Sequence, residues 1–186
     1  YERIGDILHF TGQYDEAKAA FERAGAPVPG TDPIVQARLH RKIGNTWREQ
    51  YDYAAALRAY AQAERILGET AALASPDDVQ SVAHVRAQTA GAGGYPPAWW
   101  QEWIQVLFDT ITLHYWVGQV HQADELRRTL QPMIEQHGTA TQRAALFQIM
   151  FMLEFRRNHC VATDDTVAWA KAALAALSAA EDRAGI

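Results

Sequence analysis

Histidine and cysteine are the residues of this sequence with the most direct chemistry to offer. The chain carries seven histidines and a single cysteine. His114 and His121 flank a predicted turn at Gly118, and Asp124 follows His121 by one helical turn, which is loosely compatible with a metal site. However, there is no His-Glu-x-x-His run and no pair of cysteines at ligand spacing. Packing and surface histidines account for the pattern more simply, so we expect no metal and no cofactor.

Nucleophilic and phosphate-binding chemistry is equally poorly supported. Cys160 stands next to His159, but adjacent side chains rarely point at each other in the geometry that a nucleophile and its base require. The glycines at 91–94 lack the preceding strand and the lysine of a phosphate-binding loop, and they are more typical of a flexible joint. We therefore expect that the chain is not an enzyme.

Composition excludes several classes of partner. The 22 acidic residues outnumber the 17 basic ones, giving a formal net charge of -5, and no run of Lys or Arg is dense enough to follow a phosphate backbone. No apolar run reaches the roughly 20 residues of a membrane span. We expect no nucleic-acid partner and no membrane insertion. A single cysteine is typical of a reducing compartment, so we expect a cytoplasmic location.

The elements that would position any binding residue are indicated by an internal repeat of 39 residues, measured from Gly5 to Gly44. Small residues recur where two helices would cross closely, and large apolar residues recur where a gap would be filled. The repeat therefore predicts antiparallel helix pairs. The matching positions are Tyr1, Ile4, Gly5, Leu8, Tyr14, Ala17, Phe21, Ala24 and Pro29 against His40, Ile43, Gly44, Trp47, Tyr53, Ala56, Tyr60, Ala63 and Gly68.

Abundant alanine, with glycine and proline between periodic segments, predicts an all-α fold. We expect one domain over 1–186, with hairpins at about 1–25, 32–68, 98–137 and 139–182, and an inserted helix at about 76–90. Helices should begin after Asp32 and Thr139 and stop at Gly68. A final stripe of apolar residues should seal the end of the stack: Val167, Ala170, Leu174 and Leu177. Since the sequence begins without Met inside a helical pattern, we expect a fragment of a longer protein.

These repeat positions resemble the tetratricopeptide repeat, a helix-turn-helix unit of about 34 residues. The resemblance is close in the first unit, fair in the second and partial beyond, where Arg127 takes the place of a large apolar residue. It implies a right-handed superhelix of hairpins with a concave groove. The segments 41–47, 99–103 and 114–116 are similar to the C-terminal repeat regions of large bacterial signalling ATPases and of nucleotide-cyclase-linked or transcriptional regulators. That similarity implies a regulatory arm without catalysis of its own.

The groove that the resemblance implies would be lined by residues beside the packing positions of the first helix of each hairpin. Arg41 and Asn45, one turn apart, would then form part of a carboxylate clamp, and Arg41→Glu should abolish binding with little change in melting temperature. The alternative is that these are solvated charges paired with nearby acids. The predicted binding residues are Arg38, Arg41, Asn45, Arg48, Phe108, Thr112 and Tyr115, with Glu2, Asp6, His9 and Phe10 lining the first unit.

The leading hypothesis is a protein-interaction or sensor module that binds a peptide, a partner domain or another part of its own chain. A small-ligand receptor is the second hypothesis, and an aromatic cavity at Trp103, Phe108 and Tyr115 would favour it. A structural or dimerisation spacer is the third, and an exposed apolar face at either end would favour it. In each case the tryptophans at 99, 100 and 103 should be mostly buried.

Overall fold

The structure is a computed structural model that describes residues 1–26, 32–74 and 95–184. Every element in these ranges is an α-helix, which confirms the all-α prediction. The predicted inserted helix at 76–90 and the glycine joint at 91–94 lie outside the described residues. The helices are α1 (Glu2–Phe10), α2 (Tyr14–Ala24), α3 (Pro33–Glu49), α4 (Tyr53–Ala74), α5 (Pro97–Trp116), α6 (Val120–His137), α7 (Ala140–Arg157) and α8 (Asp164–Ala184).

Helix starts follow the local signals of the sequence. Asp32 caps α3 by accepting a hydrogen bond from the Ile34 backbone N–H at 2.9 Å, with Pro33 in the first turn. At α7, Thr139 and Gln142 form a reciprocal capping box, with bonds of 3.2 and 3.0 Å. Both predicted starts are confirmed, because each depends only on residues within one turn.

The predicted helix stop at Gly68 is wrong. Helix α4 continues through this glycine to Ala74. Glycine inside a helix is only about 1 kcal/mol less favourable than alanine, so favourable packing of the rest of the helix outweighs it. Leu67, immediately before the glycine, is fully buried.

The four turns within the predicted hairpins share one backbone hydrogen bond. In the first turn, Gly12 has a φ of 79° and the Gln13 N–H donates to the Leu8 carbonyl at 2.8 Å. Equivalent bonds run from Asp52 to Trp47 (3.0 Å), from Gln119 to His114 (2.8 Å) and from Cys160 to Phe155 (2.8 Å). Gly118 has a φ of 84°, whereas Tyr51 holds the same position without glycine at a φ of 62°. The repeat therefore recurs as backbone structure.

The glycines of the repeat also occupy equivalent close contacts. A Cβ atom placed on Gly5 would lie 2.4 Å from the ring of Phe21, and one placed on Gly44 would lie 2.4 Å from the ring of Tyr60. Each aromatic ring packs against the bare backbone of the preceding helix, as the sequence repeat predicted. Glycine is required at both places because an aromatic ring fills the space of its side chain.

The chain forms two compact units, unit 1 (1–113) and unit 2 (114–186), with the boundary inside α5. In unit 1, α1 packs on α2, α2 on α3 and α3 on α4; in unit 2, α6 packs on α7 and α7 on α8. Buried side chains of unit 1 include Phe21, Leu39, Tyr60, Leu67, Trp99 and Trp103; those of unit 2 include Leu130, Met133, Ile134, Leu146 and Leu153. The single domain over 1–186 stays a prediction.

Two expectations about surfaces have different outcomes. Trp99, Trp100 and Trp103 are buried, as predicted. The stripe on α8 that was predicted to seal the stack is instead exposed, most clearly at Leu174. Within the described residues, none of the helices combines the length and apolar character needed to cross a bilayer.

Candidate interaction face

Two sets of polar contacts join α3 to its neighbours in unit 1, one to α1 and one to α5. Together we call them the polar belt. It contains most of the residues that the sequence assigned to a binding groove. Its members are Glu2, Asp6 and His9 on α1, Arg38, Arg41, Lys42, Asn45, Thr46 and Arg48 on α3, and Glu102, Gln105 and Asp109 on α5.

The first part of the belt joins α1 to α3 by ion pairs. Lys42 Nζ lies 2.8 Å from a Glu2 oxygen and 2.6 Å from an Asp6 oxygen, and Arg38 Nε lies 2.9 Å from Glu2. Burial acts to raise the pKa of Glu2, but Lys42 and Arg38 together outweigh it, so the pKa is lowered. The cations of α3 thus neutralise the acidic residues of α1. His9 adds a bond of 3.1 Å to the hydroxyl of Thr46.

Arg41 forms the second part of the belt, between α3 and α5. Its Nε donates to Glu102 Oε1 at 2.5 Å, and its Nη1 donates to Asp109 Oδ2 at 3.2 Å. The three side chains are only 14%, 9% and 12% exposed. Burial acts to lower the pKa of Arg41, but the two carboxylates raise it overall. The guanidinium is therefore engaged inside the chain, and it is not presented as an open clamp for a ligand carboxylate.

The side chains of Asn45 and Arg48 make fewer contacts with other residues than that of Arg41 does. The Asn45 carbonyl oxygen accepts a bond of 2.6 Å from the buried Tyr60 hydroxyl, while its amide nitrogen has no partner in the described part of the chain. Burial and the charge of Asp109 raise the pKa of Tyr60. Arg48 pairs with its neighbour Glu49 at 3.0 Å and stays partly exposed, which matches the alternative of a solvated charge pair.

The three candidates from α5 have different surroundings. Phe108 is 5% exposed and belongs to the buried interior of unit 1. Thr112 is half-buried, and Tyr115 falls in unit 2, where the Arg156 guanidinium lies 4.9 Å from its ring. The other predicted site residues, Arg38, Arg41, Asn45 and Arg48, all lie on α3.

The tryptophans of α5 pack against one another and against Tyr95. The ring of Trp99 is stacked between Tyr95 at 4.5 Å and Trp103 at 4.9 Å, so both of its faces are covered. Its indole N–H donates to the Leu67 carbonyl at 3.3 Å. These rings fill space in unit 1 and leave Trp99 no face for a ligand.

A different cavity of about 520 Å³ lies between α2, α3 and α4. Apolar residues such as Phe21 and Leu39 line it together with the polar side chains of Gln36, His40 and Gln62. Burial and the charge of Arg65 lower the pKa of His40, so this imidazole is neutral at physiological pH. No sequence pattern indicated this cavity, because its walls come from three helices.

The residues considered above for nucleophilic and metal chemistry lie apart or have other partners in the described ranges. Cys160 is exposed in the last hairpin turn beside an exposed His159. Nowhere in 1–26, 32–74 and 95–184 do three or more His, Cys, Asp or Glu side chains converge as a metal would need. Asp124, considered above with His121, is bound by arginines instead.

That arginine cluster in unit 2 was missed by the sequence analysis. Asp124 accepts bonds from Arg127 at 2.9 Å, Arg128 at 2.7 Å and Arg157 at 3.1 Å. It explains why Arg127 replaces a large apolar residue of the repeat, since the guanidinium is held in a partly buried place by a carboxylate one turn earlier. The spacing of Asp124, Arg127 and Arg128 on one helix could have indicated this cluster from the sequence. The participation of Arg157 could not have been predicted in this way.

Lys18 in unit 1 is a second buried charge that sequence reasoning missed. Its ammonium lies 3.2 Å from the centre of the Trp47 ring and donates to Gln50 at 2.6 Å, which ties α2 to α3.

Comparison with known proteins adds no identification. No protein-family model matches the sequence, and no curated protein or solved structure matches it either.

Proposed function

We propose that this chain is a non-catalytic interaction module that binds a peptide or a partner domain on the polar belt. The observation that carries the proposal is the row of first helices, α1, α3 and α5, joined side by side through polar contacts. In the first two hairpins, the second helix packs against the first through the Gly5 and Gly44 contacts. The tetratricopeptide-like repeat pattern supports the same role, as a cytoplasmic regulatory arm of a larger bacterial signalling protein.

The balance of charge in the belt suggests how the ligand is recognised. Arg38, Arg41 and Lys42 are each neutralised by acids of neighbouring helices. On this surface a ligand therefore contacts paired charges of both signs and the hydrogen-bond donors of Asn45 and Arg48. It does not encounter a strong positive potential. Such a surface suits the backbone and polar side chains of an extended peptide, with affinity that depends weakly on salt.

The test is selection of binding peptides from a displayed random library, followed by affinity measurement by fluorescence anisotropy. We expect the double variant Arg38→Ala/Arg48→Ala to lose at least about tenfold in affinity, since partly exposed donors are removed while Arg41 stays paired. Arg65→Ala on α4 is the control, since Arg65 pairs with Glu69 and makes none of the polar contacts of the belt. Peptides that bind both variants equally well would refute the belt as the binding face.

A small-ligand receptor is the second candidate, and the cavity of about 520 Å³ favours it, although at a different place from the aromatic pocket first expected. Its volume lies within the range of about 300 to 1,000 Å³ that small-molecule sites occupy. A metabolite library screened by thermal shift tests it. Stabilisation that is lost in Gln36→Leu/Gln62→Leu but kept in Arg38→Ala/Arg48→Ala would assign binding to the cavity instead of the belt.

A further inference from the structure

The cavity of about 520 Å³ in unit 1 has an apolar part that can hold the body of a ligand. Helices α2 and α4 both pack against α3, and the cavity lies between the three. Phe21, Leu39 and Ile43 line it, and the first two are almost completely buried. Apolar ligand surface placed against such side chains contributes about 25 cal/mol per Å². The rings of Phe21 and His40 both line the space, which favours an aromatic ligand body because aromatic rings pair well with one another.

Polar side chains with unused hydrogen-bonding groups line the same cavity. Gln36 and His40, one turn apart on α3, are half-buried and make no side-chain hydrogen bond with any described residue. Gln62 of α4 accepts a bond of 3.2 Å from Arg65 Nε, which leaves its amide N–H groups without a partner in the described ranges. The lowered pKa of His40 keeps the imidazole neutral, so one ring nitrogen donates and the other accepts. These groups suit a ligand whose ring carries a neutral N–H donor.

The charged residues of the lining determine which ligand charge the cavity favours. The Arg65 guanidinium pairs with the Glu69 carboxylate, so its charge is already compensated. Glu22 of α2 is exposed and forms no ion pair with a described residue. Two carboxylates and one guanidinium therefore line the cavity, which leaves one negative charge in excess. Such a site attracts a cation and repels a carboxylate or a phosphate.

We propose that this cavity binds an aromatic amine, a planar ring that carries a protonated amino group. The ring packs against the apolar lining, its polar atoms bond to Gln36 and His40, and its ammonium group pairs with Glu22. An anionic ligand is disfavoured, because it would lie near two carboxylates while Arg65 is already paired. This inference rests on the second candidate function, the small-ligand receptor, and it specifies the chemical class of the ligand.

Three probes that share one ring and differ in charge test the proposal: the cation tryptamine, the neutral indole-3-acetamide and the anion indole-3-acetate. NMR titrations of the chain at neutral pH and constant ionic strength give a dissociation constant for each probe. We expect tryptamine to bind most tightly, the amide less tightly, and the acetate at least about tenfold more weakly than tryptamine. Tryptamine should also shift the side-chain amide signals of Gln36 and Gln62, which locates the probe in the cavity.

The variant Glu22→Gln isolates the contribution of the free carboxylate. It should weaken tryptamine binding about three- to fivefold and change indole-3-acetamide binding by less than about twofold. The matched control Glu16→Gln removes the same charge from an exposed site on α2 outside the cavity, and it should leave the binding of all three probes unchanged. Both residues are exposed, so circular dichroism melts should remain those of the wild type.

The proposal is overturned if tryptamine binds no more tightly than indole-3-acetate, or if none of the three probes binds. It is also overturned if Glu22→Gln binds tryptamine as the wild type does, or if Glu16→Gln weakens binding equally, since the net charge of the chain would then explain the attraction. Failure of the receptor function has a different signature. In that case no compound of the metabolite library would give a stabilisation that Gln36→Leu/Gln62→Leu removes.

Discussion

At the scale of single residues, Arg41 has a different role from the one its sequence position indicated. We expected Arg41→Glu to remove binding without affecting stability. The structure instead indicates that the substitution lowers stability. Glu102 and Asp109 both bond to this guanidinium, and all three side chains are largely buried. The substitution would place a third carboxylate among them. Arg41 is therefore a poor position at which to test ligand binding.

We predict that Arg41→Met lowers the free energy of unfolding by about 3 kcal/mol, because two largely buried carboxylates lose their counter-ion. The matched control is Arg65→Met, which removes an exposed ion pair with Glu69 and should change stability by no more than about 0.5 kcal/mol. Urea denaturation measures both. Restoring stability with Arg41→Met/Glu102→Gln/Asp109→Asn would confirm the cause, whereas equal effects of the two single variants would contradict it.

The Asp124 cluster of unit 2 predicts a dependence of stability on pH. Burial acts to raise the pKa of Asp124, but the Arg127 hydrogen bond and the charges of Arg127, Arg128 and Arg157 lower it overall. A carboxylate with a lowered pKa in the folded state stabilises the fold above its unfolded pKa of about 4, and that stabilisation is lost as the pH falls further.

We therefore predict that Asp124→Asn destabilises the protein by about 2 kcal/mol near neutral pH, with a deficit that shrinks as the pH falls below about 4. Thermal or urea denaturation across this pH range measures it. Glu125→Gln, an exposed neighbour on the same helix, is the control and should show little deficit at any pH. A deficit of Asp124→Asn that stays constant with pH would show that the cluster acts through shape and not through charge.

At the scale of elements, the Gly5 and Gly44 contacts predict matched effects in two hairpins. Gly5→Ala and Gly44→Ala should each lower the free energy of unfolding by about 1 to 3 kcal/mol, because the new Cβ atom would overlap an aromatic ring. Gly68→Ala should instead raise it by up to about 1 kcal/mol, since no described atom lies within 4 Å of the added carbon and alanine favours the helix. Thermal unfolding compares the three variants.

If Gly5→Ala and Gly44→Ala were both neutral, the two hairpins would not be packed as equivalent repeats. A loss of stability in Gly44→Ala alone would instead show that Phe21 can move away from the added carbon and Tyr60 cannot. Tyr60 is held by its hydroxyl bond to Asn45, whereas Phe21 has no such bond and can shift more easily.

At the scale of the whole molecule, the division into two compact units predicts two regions of local stability. Leu39 in unit 1 and Leu153 in unit 2 are both buried. Each Leu→Ala change should remove about 2 to 5 kcal/mol from its own region, because a cavity remains. Hydrogen exchange should show Leu39→Ala lowering protection mainly in α1 to α4, and Leu153→Ala lowering it mainly in α6 to α8. A uniform loss throughout the chain from either change would indicate one cooperative unit.

The sequence alone determined the features that depend on neighbouring residues. The starts of α3 and α7 were predictable because a cap and its partner lie within one turn. The equivalence of Gly5 with Gly44 was predictable because a close helix crossing tolerates only a small side chain, which leaves a mark in the sequence wherever the crossing recurs. The all-α class followed from the same local patterns.

Only the tertiary structure decided which charges meet and which apolar faces are covered. Arg41 finds its carboxylates 61 and 68 positions further along the chain, and Asp124 receives Arg157 from 33 positions away. No periodic pattern encodes such pairs, because they depend on how helices from different hairpins pack. For the same reason the α8 stripe, whose spacing indicated burial, is exposed: a pattern shows that a face is suited to packing, and only the packed chain shows whether a partner is there.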